Sequence, residues 1–366
     1  MKIKDLCSYA PKSRIKAGEA VENAKYLFFT SSADENKRYT DFQFDKEAII
    51  MGTGGNATLH YYNGKFSVST DCLVLFPNSK IKCKYLYYFF KSHMSVLEAG
   101  FKGAGLKHTN KKYIEEINVS KVPDLSTQEK IVSHLDTITE NIEKLNREVE
   151  LFDSLTKARF IEMFGTLDDP ADEFEKATLK KLCNKITDGK HGGCTSEEGT
   201  QRYFVGAREI YDDEVHYDTA PEINVEEFEK DYKRCNIEIG DFLIVNTGAT
   251  IGKSAIASDE RTEHTLLQKS VALLKIKKDK LNPVFLKWCY RVNTRMYMVQ
   301  SASAQPNLLL SKINGTVIYV PSIELQEQFA NFVQQVDKSR EAVKKSLEKA
   351  QQLYDSLMQE YFGQDN

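Results

Sequence analysis

Apolar residues recur at alternating spacings of four and three from Ile131 through Leu135, Ile138, Ile142, Leu145, Val149 and Phe152, with Phe160, Met163 and Phe164 near the close. No Pro or Gly intervenes before Gly165, so the pattern predicts one long helix with a narrow heptad seam. The pattern returns near the end of the chain: Val336, Val343, Ala350 and Leu357 form one track, and Leu347, Tyr354 and Tyr361 form another, closed by Gly363. Each helix should run for about 37 residues, or about 55 Å. A seam of that length must be covered, and neither helix fits along one side of a small domain. The two are therefore expected to pair with each other as an antiparallel coiled-coil rod. Arg340 falls on a core track and is expected to snorkel out of the seam.

Each helix is preceded by nearly the same phrase, "VPDLSTQEKI" at 122–131 and "VPSIELQEQF" at 320–329. Pro123 and Pro321, Gln128 and Gln326, Phe164 and Phe362, and Gly165 and Gly363 all share one spacing, and "LFDSL" at 151–155 matches "LYDSL" at 353–357. Upstream, "MKIKDLCSY" parallels "ATLKKLCNK" at 177–185, and "KEAIIMGTGGNATLHYYNGKFSVSTDCLVLFP" at 46–77 parallels the stretch 240–276. The chain is a tandem repeat with pseudo-two-fold character. The expected organisation is a globular domain over 1–125, a helix over 126–165, a second domain over 166–320 and a last helix over 321–366. In each phrase the proline ends the domain, and Ser126 or Glu324 is expected to begin the helix. Within the domains, alternation and β-branching predict strands at Phe66–Phe76, Phe242–Asn246 and Val271–Ile276, followed by helices at 84–94 and 283–299. The fold class is α/β (α+β).

A hydrophobic content of 41% and a charged content of 28% describe an ordered globular chain. No apolar leader and no long apolar run occurs, so a cytoplasmic location with no membrane contact is expected. Seven cysteines, none spaced as Cys-x-x-Cys, argue against a disulfide frame or structural zinc. The net charge of −3 is unevenly spread. Residues 1–125 hold 19 Lys and Arg against 13 Asp and Glu; 209–231 holds ten acids, whereas 275–312 holds eight bases and one acid. Basic faces are compatible with a polyanion, and equally with ordinary solvated surface.

Catalytic motifs fail on spacing. "NTGATIGKS" at 246–254 places three residues, not four, between Gly248 and Gly252, so it lacks the nucleotide-binding spacing and reads as a tight turn between strands. No nucleophile elbow, zinc-protease helix or deaminase signature occurs, the seven histidines form no close ligand pair, and "NPVF" at 282–285 reads as a strand-to-helix junction. No metal, cofactor or catalytic residue is expected in this chain.

The whole layout resembles the specificity subunit of Type I restriction-modification systems. The residues that carry the resemblance are "TGATIG" (247–252) with its degenerate partner "TGGNAT" (53–58), the paired helix-leading phrases, and the helix endings "FIEMFG" (160–165) and "LMQEYFG" (357–363). The resemblance implies two target recognition domains, each reading one half of a bipartite double-stranded DNA sequence, with the helices as spacer. It also implies a prokaryotic complex with two methyltransferase subunits and two restriction/translocase subunits. S-adenosylmethionine, ATP and Mg would sit on those partners. The rival readings are a fused restriction-methylation enzyme with its own catalytic site and a coiled-coil scaffold that does not bind DNA.

Candidate DNA contacts in the first domain are Thr53, Gly54 and Asn56 on the turn, Lys65, and Lys102, Lys107, His108, Asn110 and Lys111 in "KGAGLKHTNKK". Their counterparts are Thr247, Thr250, Lys253, Arg291, Arg295, Gln305 and Asn307, with Lys107 and Gln305 expected to occupy the same place. Lys suits phosphate, and Arg, Gln and Asn suit base edges. Tyr61 and Tyr62 are expected in the core. The first domain is the shorter, so a weaker or shorter half-site is expected on that side.

Overall fold

In the computed structural model, which describes residues 1–103, 105, 107–297 and 307–363, the chain divides into two compact units. The first comprises Met1–Arg147 with the segment from Lys344 onward, and the second comprises Glu148–Val343. The two long helices span Leu125–Phe164 and Ile323–Phe362, forty residues each, so each begins in one unit and ends in the other.

The first unit is built on a six-stranded sheet. Its strands are β1 (Cys7–Tyr9), β2 (Tyr26–Phe29), β3 (Arg38–Tyr39), β4 (Phe44–Gly52), β5 (Leu59–Val68) and β6 (Cys72–Pro77), in the order β1-β6-β4-β5-β2-β3. All neighbours are antiparallel except β2 and β5. The run Ala48–Met51 is apolar throughout because both faces of β4 are covered: Ile49 and Met51 point into one core, Ala48 and Ile50 into another. The strand expected across Phe66–Phe76 is two strands, because residues 69–71 turn the chain between β5 and β6. The helix Cys83–Ser92 then lays Leu86 and Phe89 into the first core, where Ile131 and Leu135 of the first long helix meet Tyr354, Met358 and Phe362 of the second.

The second unit repeats the plan with a four-stranded antiparallel sheet of Ser254–Ile256, Phe242–Val245, Val271–Ile276 and Cys183–Asp188. A parallel pair, Tyr203–Val205 with Thr265–Leu267, answers the parallel pair of the first unit. The helix Pro283–Val292 starts at Asn282, whose side chain accepts from the Val284 amide, with Pro283 at its first position. Phe160, Phe164, Phe285 and Phe329 interlock as an aromatic cluster at this unit's core. The acidic stretch 209–231 is ordered. It folds into the pair Ile210–Tyr211/Glu214–Val215 and the helix Val225–Tyr232, where Glu227 and Asp231 bind the Lys190 ammonium.

The long helices pair within each unit. In the second unit Asp153, Arg159 and Phe160 meet Arg340, Phe332 and Phe329 in turn, so the helices run antiparallel. In the first unit His134 Nδ1 lies 2.9 Å from the Tyr361 hydroxyl. The expected seam residues Leu135, Val336, Ala350 and Tyr354 are buried, and Ile138, Ile142, Leu145, Val149, Phe152, Val343, Leu347 and Leu357 are half-buried. Arg340 does not simply reach solvent. Its guanidinium is bound by Asp153 at 2.5 Å, which neutralises it on the seam.

The repeated phrase before each helix builds a clamp. Gln128 and Gln326 are both 0% exposed. Gln128 Oε1 accepts from the Lys82 amide at 2.7 Å, and its Nε2 donates to the carbonyls of Pro123 (2.8 Å) and Lys80 (3.2 Å). Gln326 accepts from the Asn282 amide at 2.9 Å and donates to Pro321 (2.8 Å) and Lys280 (3.1 Å). One carboxamide thus satisfies three main-chain groups at the junction of domain and long helix. Helix initiation falls to Asp124 and Ser322 rather than to Ser126 and Glu324: Asp124 accepts from the Ser126 and Thr127 amides, and Ser322 Oγ accepts from Leu325. The Thr127 bonds hold the Asp124 carboxyl below its ordinary range.

All seven cysteines are free and six are buried, with burial pushing the Cys7, Cys183 and Cys289 thiols up to about 12. No helix among the described residues is long and apolar enough to cross a membrane.

Substituting Gln128 or Gln326 by Ala takes the buried carboxamide away from a partly buried main-chain amide and two carbonyls. Each change is expected to cost about 1–3 kcal/mol, read as a lower denaturant midpoint at unchanged slope. The exposed Gln328→Ala should cost little, and equal losses for Gln326→Ala and Gln328→Ala would contradict the clamp.

Candidate nucleic-acid interface

The turn that resembles a phosphate loop is a hairpin connection in both units. In the second unit it joins the antiparallel strands Phe242–Val245 and Ser254–Ile256; in the first it joins β4 to β5. Three further segments gather on each turn. In the first unit, the Thr109 amide donates to the Thr53 carbonyl, the Gly55 amide to Lys107, and Gly54 bridges His108. The Thr53 amide donates to Asp71 at 2.8 Å, and Ser31 Oγ donates to the same carbonyl at 2.6 Å. In the second, the Leu308 amide donates to Asn246, Thr247 bridges Asn307, the Asn246 amide donates to Ser270, and the Ala207 amide donates to Ser270 Oγ.

This shared hydrogen-bond pattern sets the correspondence between the repeats. It equates Thr53 with Asn246, Gly54 with Thr247, and His108 with Asn307. The turns are therefore one residue out of the register that the Thr-Gly match predicts, because main-chain pairing and not the Thr-Gly letters places the turn. Gln305, expected opposite Lys107, lies outside the described residues.

Thr53, Gly54, Lys102, Lys107 and His108 are thus brought together in the first unit, with Lys102 and His108 exchanging main-chain hydrogen bonds. Asn56 is exposed at the tip of the same turn. Thr247 and Asn307 meet in the second, where Thr247 Oγ1 donates to Asn307 Oδ1 at 3.3 Å, and Thr250 and Lys253 belong to the same turn. The other candidates have structural partners. Lys65 sits far along β5, 3.8 Å from Asp45 and over the Phe42 ring. Asn110 caps the helix Lys111–Glu116, and Lys111 lies over Tyr9 and pairs with Glu115. Arg291 binds Asp153 and Asp213 and lies over Trp288, and Arg295 pairs with Asp168. Tyr61 and Tyr62 are half-buried; Tyr62 packs on Phe29 and Phe66, and Tyr61 donates to Glu47.

Two segments of each cluster lay outside the expected contacts: the loops after Phe29 and Val205, and the turns 69–71 and 268–270. Their signal was present, since "LFFTSS" (27–32) and "YFVGAR" (203–208) each pass from an apolar run to small residues. The strand is too short for alternation to mark it.

A family model for the Type I restriction modification DNA specificity domain matches residues 1–151 and 171–352. The Type I restriction enzyme EcoDI specificity subunit of Escherichia coli is 25% identical over 144 residues, covering 39% of this chain and 32% of that protein. The chain thus spans about a third of that relative in the matched region. The MjaVIII specificity subunit of Methanocaldococcus jannaschii is 22% identical over 338 residues, covering 86% of this chain and 77% of that protein. Among solved structures, the Type-I restriction-modification system S subunit from M. genitalium superposes with a TM-score of 0.68 at 17% identity, over 100% of this chain and 96% of that one. That likeness supports the fold.

The second-unit turn has a built-in steric test. Gly252 has φ +92°, and a Cβ there would sit 2.3 Å from the Tyr297 ring, whereas Gly248 has φ +100° and open space. Gly248→Ala is expected to cost about 1–2 kcal/mol from left-handed strain, and Gly252→Ala about 1–3 kcal/mol more from the clash. Thermal unfolding of the two variants ranks them; equal losses would show that the ring yields freely.

Proposed function

The chain belongs to the Type I restriction-modification DNA specificity family, and on that premise we propose that it is the non-catalytic, sequence-reading subunit of a restriction-modification complex. Residues 1–125 and 166–320 act as the two target recognition domains, and 126–165 and 321–366 as the spacer. The observation that carries this reading is the loop cluster: the same four segments converge by the same main-chain bonds in both units, while the side chains they display differ. A common scaffold with divergent displayed residues is what two readers of different half-sites require.

The chemistry of each cluster fits a duplex. Lys102, Lys107 and His108 are exposed in the first unit, as are Lys253 and Asn307 in the second. Lysines there hold phosphates and fix the register, and the turn and neighbouring loops meet base edges. The long helices hold the two clusters apart and dock the methyltransferase subunits. Leu151 and Leu155 on the first helix and Leu353 on the second are exposed leucines available to such partners. The complex is completed by two methyltransferase and two restriction/translocase subunits, with S-adenosylmethionine, ATP and Mg on those partners.

The full chain assembled with its methyltransferase subunits should select, from randomised duplexes, two short half-sites separated by an unread gap of fixed length. Lys107→Ala should weaken binding to all sequences and lower the log–log salt slope by about one. Selection of no sequence, or of a single uninterrupted one, would overturn the proposal.

A further inference from the structure

Beside the turn of the second unit lies an open groove of about 480 Å³, whose walls include Gly206, Arg208, Thr247, Gln268, Lys269 and Ser270. Its floor is held by an ordered relay. Ser270 Oγ accepts from the Ala207 amide at 3.1 Å and donates to Gln268 Oε1 at 2.8 Å. The Gln268 amide donates to Val205 at 2.8 Å. Gly206 lets the Gln268 carboxamide lie against the main chain, since a Cβ there would come within 2.6 Å of Gln268 Oε1. Glu209, the acid nearest in sequence, accepts from the Gly206 amide at 2.8 Å. Arg208 and Lys269 are exposed, and neither has a carboxylate partner among the described residues.

The contrast with Arg291 and Arg295 is what gives the groove its meaning. Those arginines are tied to Asp153, Asp213 and Asp168, whereas Arg208 has no carboxylate partner among the described residues and lines the groove with the Gln268 carboxamide and the Thr247 turn. A planar fork of donors matches the N7 and O6 acceptors of guanine in the major groove, and a pre-positioned carboxamide matches the edge of a neighbouring purine. A free ammonium suits phosphate.

We propose that this groove is the base-reading pocket of the second domain, with Arg208 specifying a guanine, Gln268 an adjacent purine, and Lys269 holding a backbone phosphate. The assignment rests on the reading of this domain as a DNA reader and deepens it. In the equivalent loop of the first unit Ser32 takes the place of Arg208, by the pairing that equates Phe29 with Val205. The pocket is therefore particular to one half-site.

The test uses the full chain assembled with its methyltransferase subunits and a duplex pool randomised over both half-sites at fixed salt. Arg208→Ala should lose guanine preference at one position of one half-site by about ten- to a hundredfold, with the other half-site selected as before. That unchanged half-site also reports a folded chain. Arg208→Lys should lose the same preference while keeping affinity, because it retains the charge without the fork. Lys269→Ala should weaken all sequences alike. Recovery of the parent motif at every position by Arg208→Ala, or equal relaxation of both half-sites, would overturn the assignment. Should the wild-type complex itself select no two-part motif, the broader reading of the chain fails as well; an intact wild-type motif with an unaltered Arg208→Ala removes the pocket alone.

Discussion

A buried carboxamide at the root of each long helix is the constraint on which the rest depends. A forty-residue helix leaving a small domain would pivot at its first turn unless something fixed its direction there. Gln128 and Gln326 do so by binding the main chain on both sides of the junction: the carbonyl of the departing proline, and an amide and a carbonyl at the start of the domain's own helix. Each carboxamide is itself fully buried, and an unmet polar group there is costly. The proline serves the same end, since its ring limits the chain before the helix and its carbonyl receives the carboxamide. Aromatic residues complete the joint, with Phe362 on Tyr85 and Phe89 in one unit and Phe164 on Phe285 and Phe329 in the other.

With direction fixed at the helix root, variation can be confined to the loops. The two units share main-chain bonds around the turn but display different groups: Lys107, His108 and hydroxyls in the first, Arg208, Gln268 and Asn307 in the second. Several cations outside the clusters are neutralised locally. Arg340 and Arg291 share Asp153, and Lys190 is held by Glu227 and Asp231. Lys102, Lys107 and Lys253 at the turn-bearing clusters are exposed and have no carboxylate partner among the described residues.

The long helices were legible because their signal is local and repeated: a heptad seam without Pro or Gly can be read residue by residue. The tandem plan was legible for the same reason. The role of Gln128 was not, since its partner amide at Lys82 is 46 residues away and nothing in the phrase names it. Arg291 and Arg295 looked like free cations because Asp153 lies 138 positions from Arg291. The one-residue shift between the two turns was hidden because matching letters do not encode main-chain pairing. No alternation in the sequence marks the loop that carries Arg208, because the strand before it spans only Tyr203–Val205, too short to show a period.

The central claim, that two readers are held a set distance apart by the helices, is tested most directly by lengthening both helices together. One heptad inserted after Arg147 and one after Val343 keeps the seam in phase and adds about 10 Å, close to three base pairs of duplex at about 3.4 Å each. Sequence selection by the assembled complex should then return both half-sites unaltered, with the unread gap lengthened by about three base pairs. An unchanged gap, or altered half-sites at the original gap, would contradict the claim.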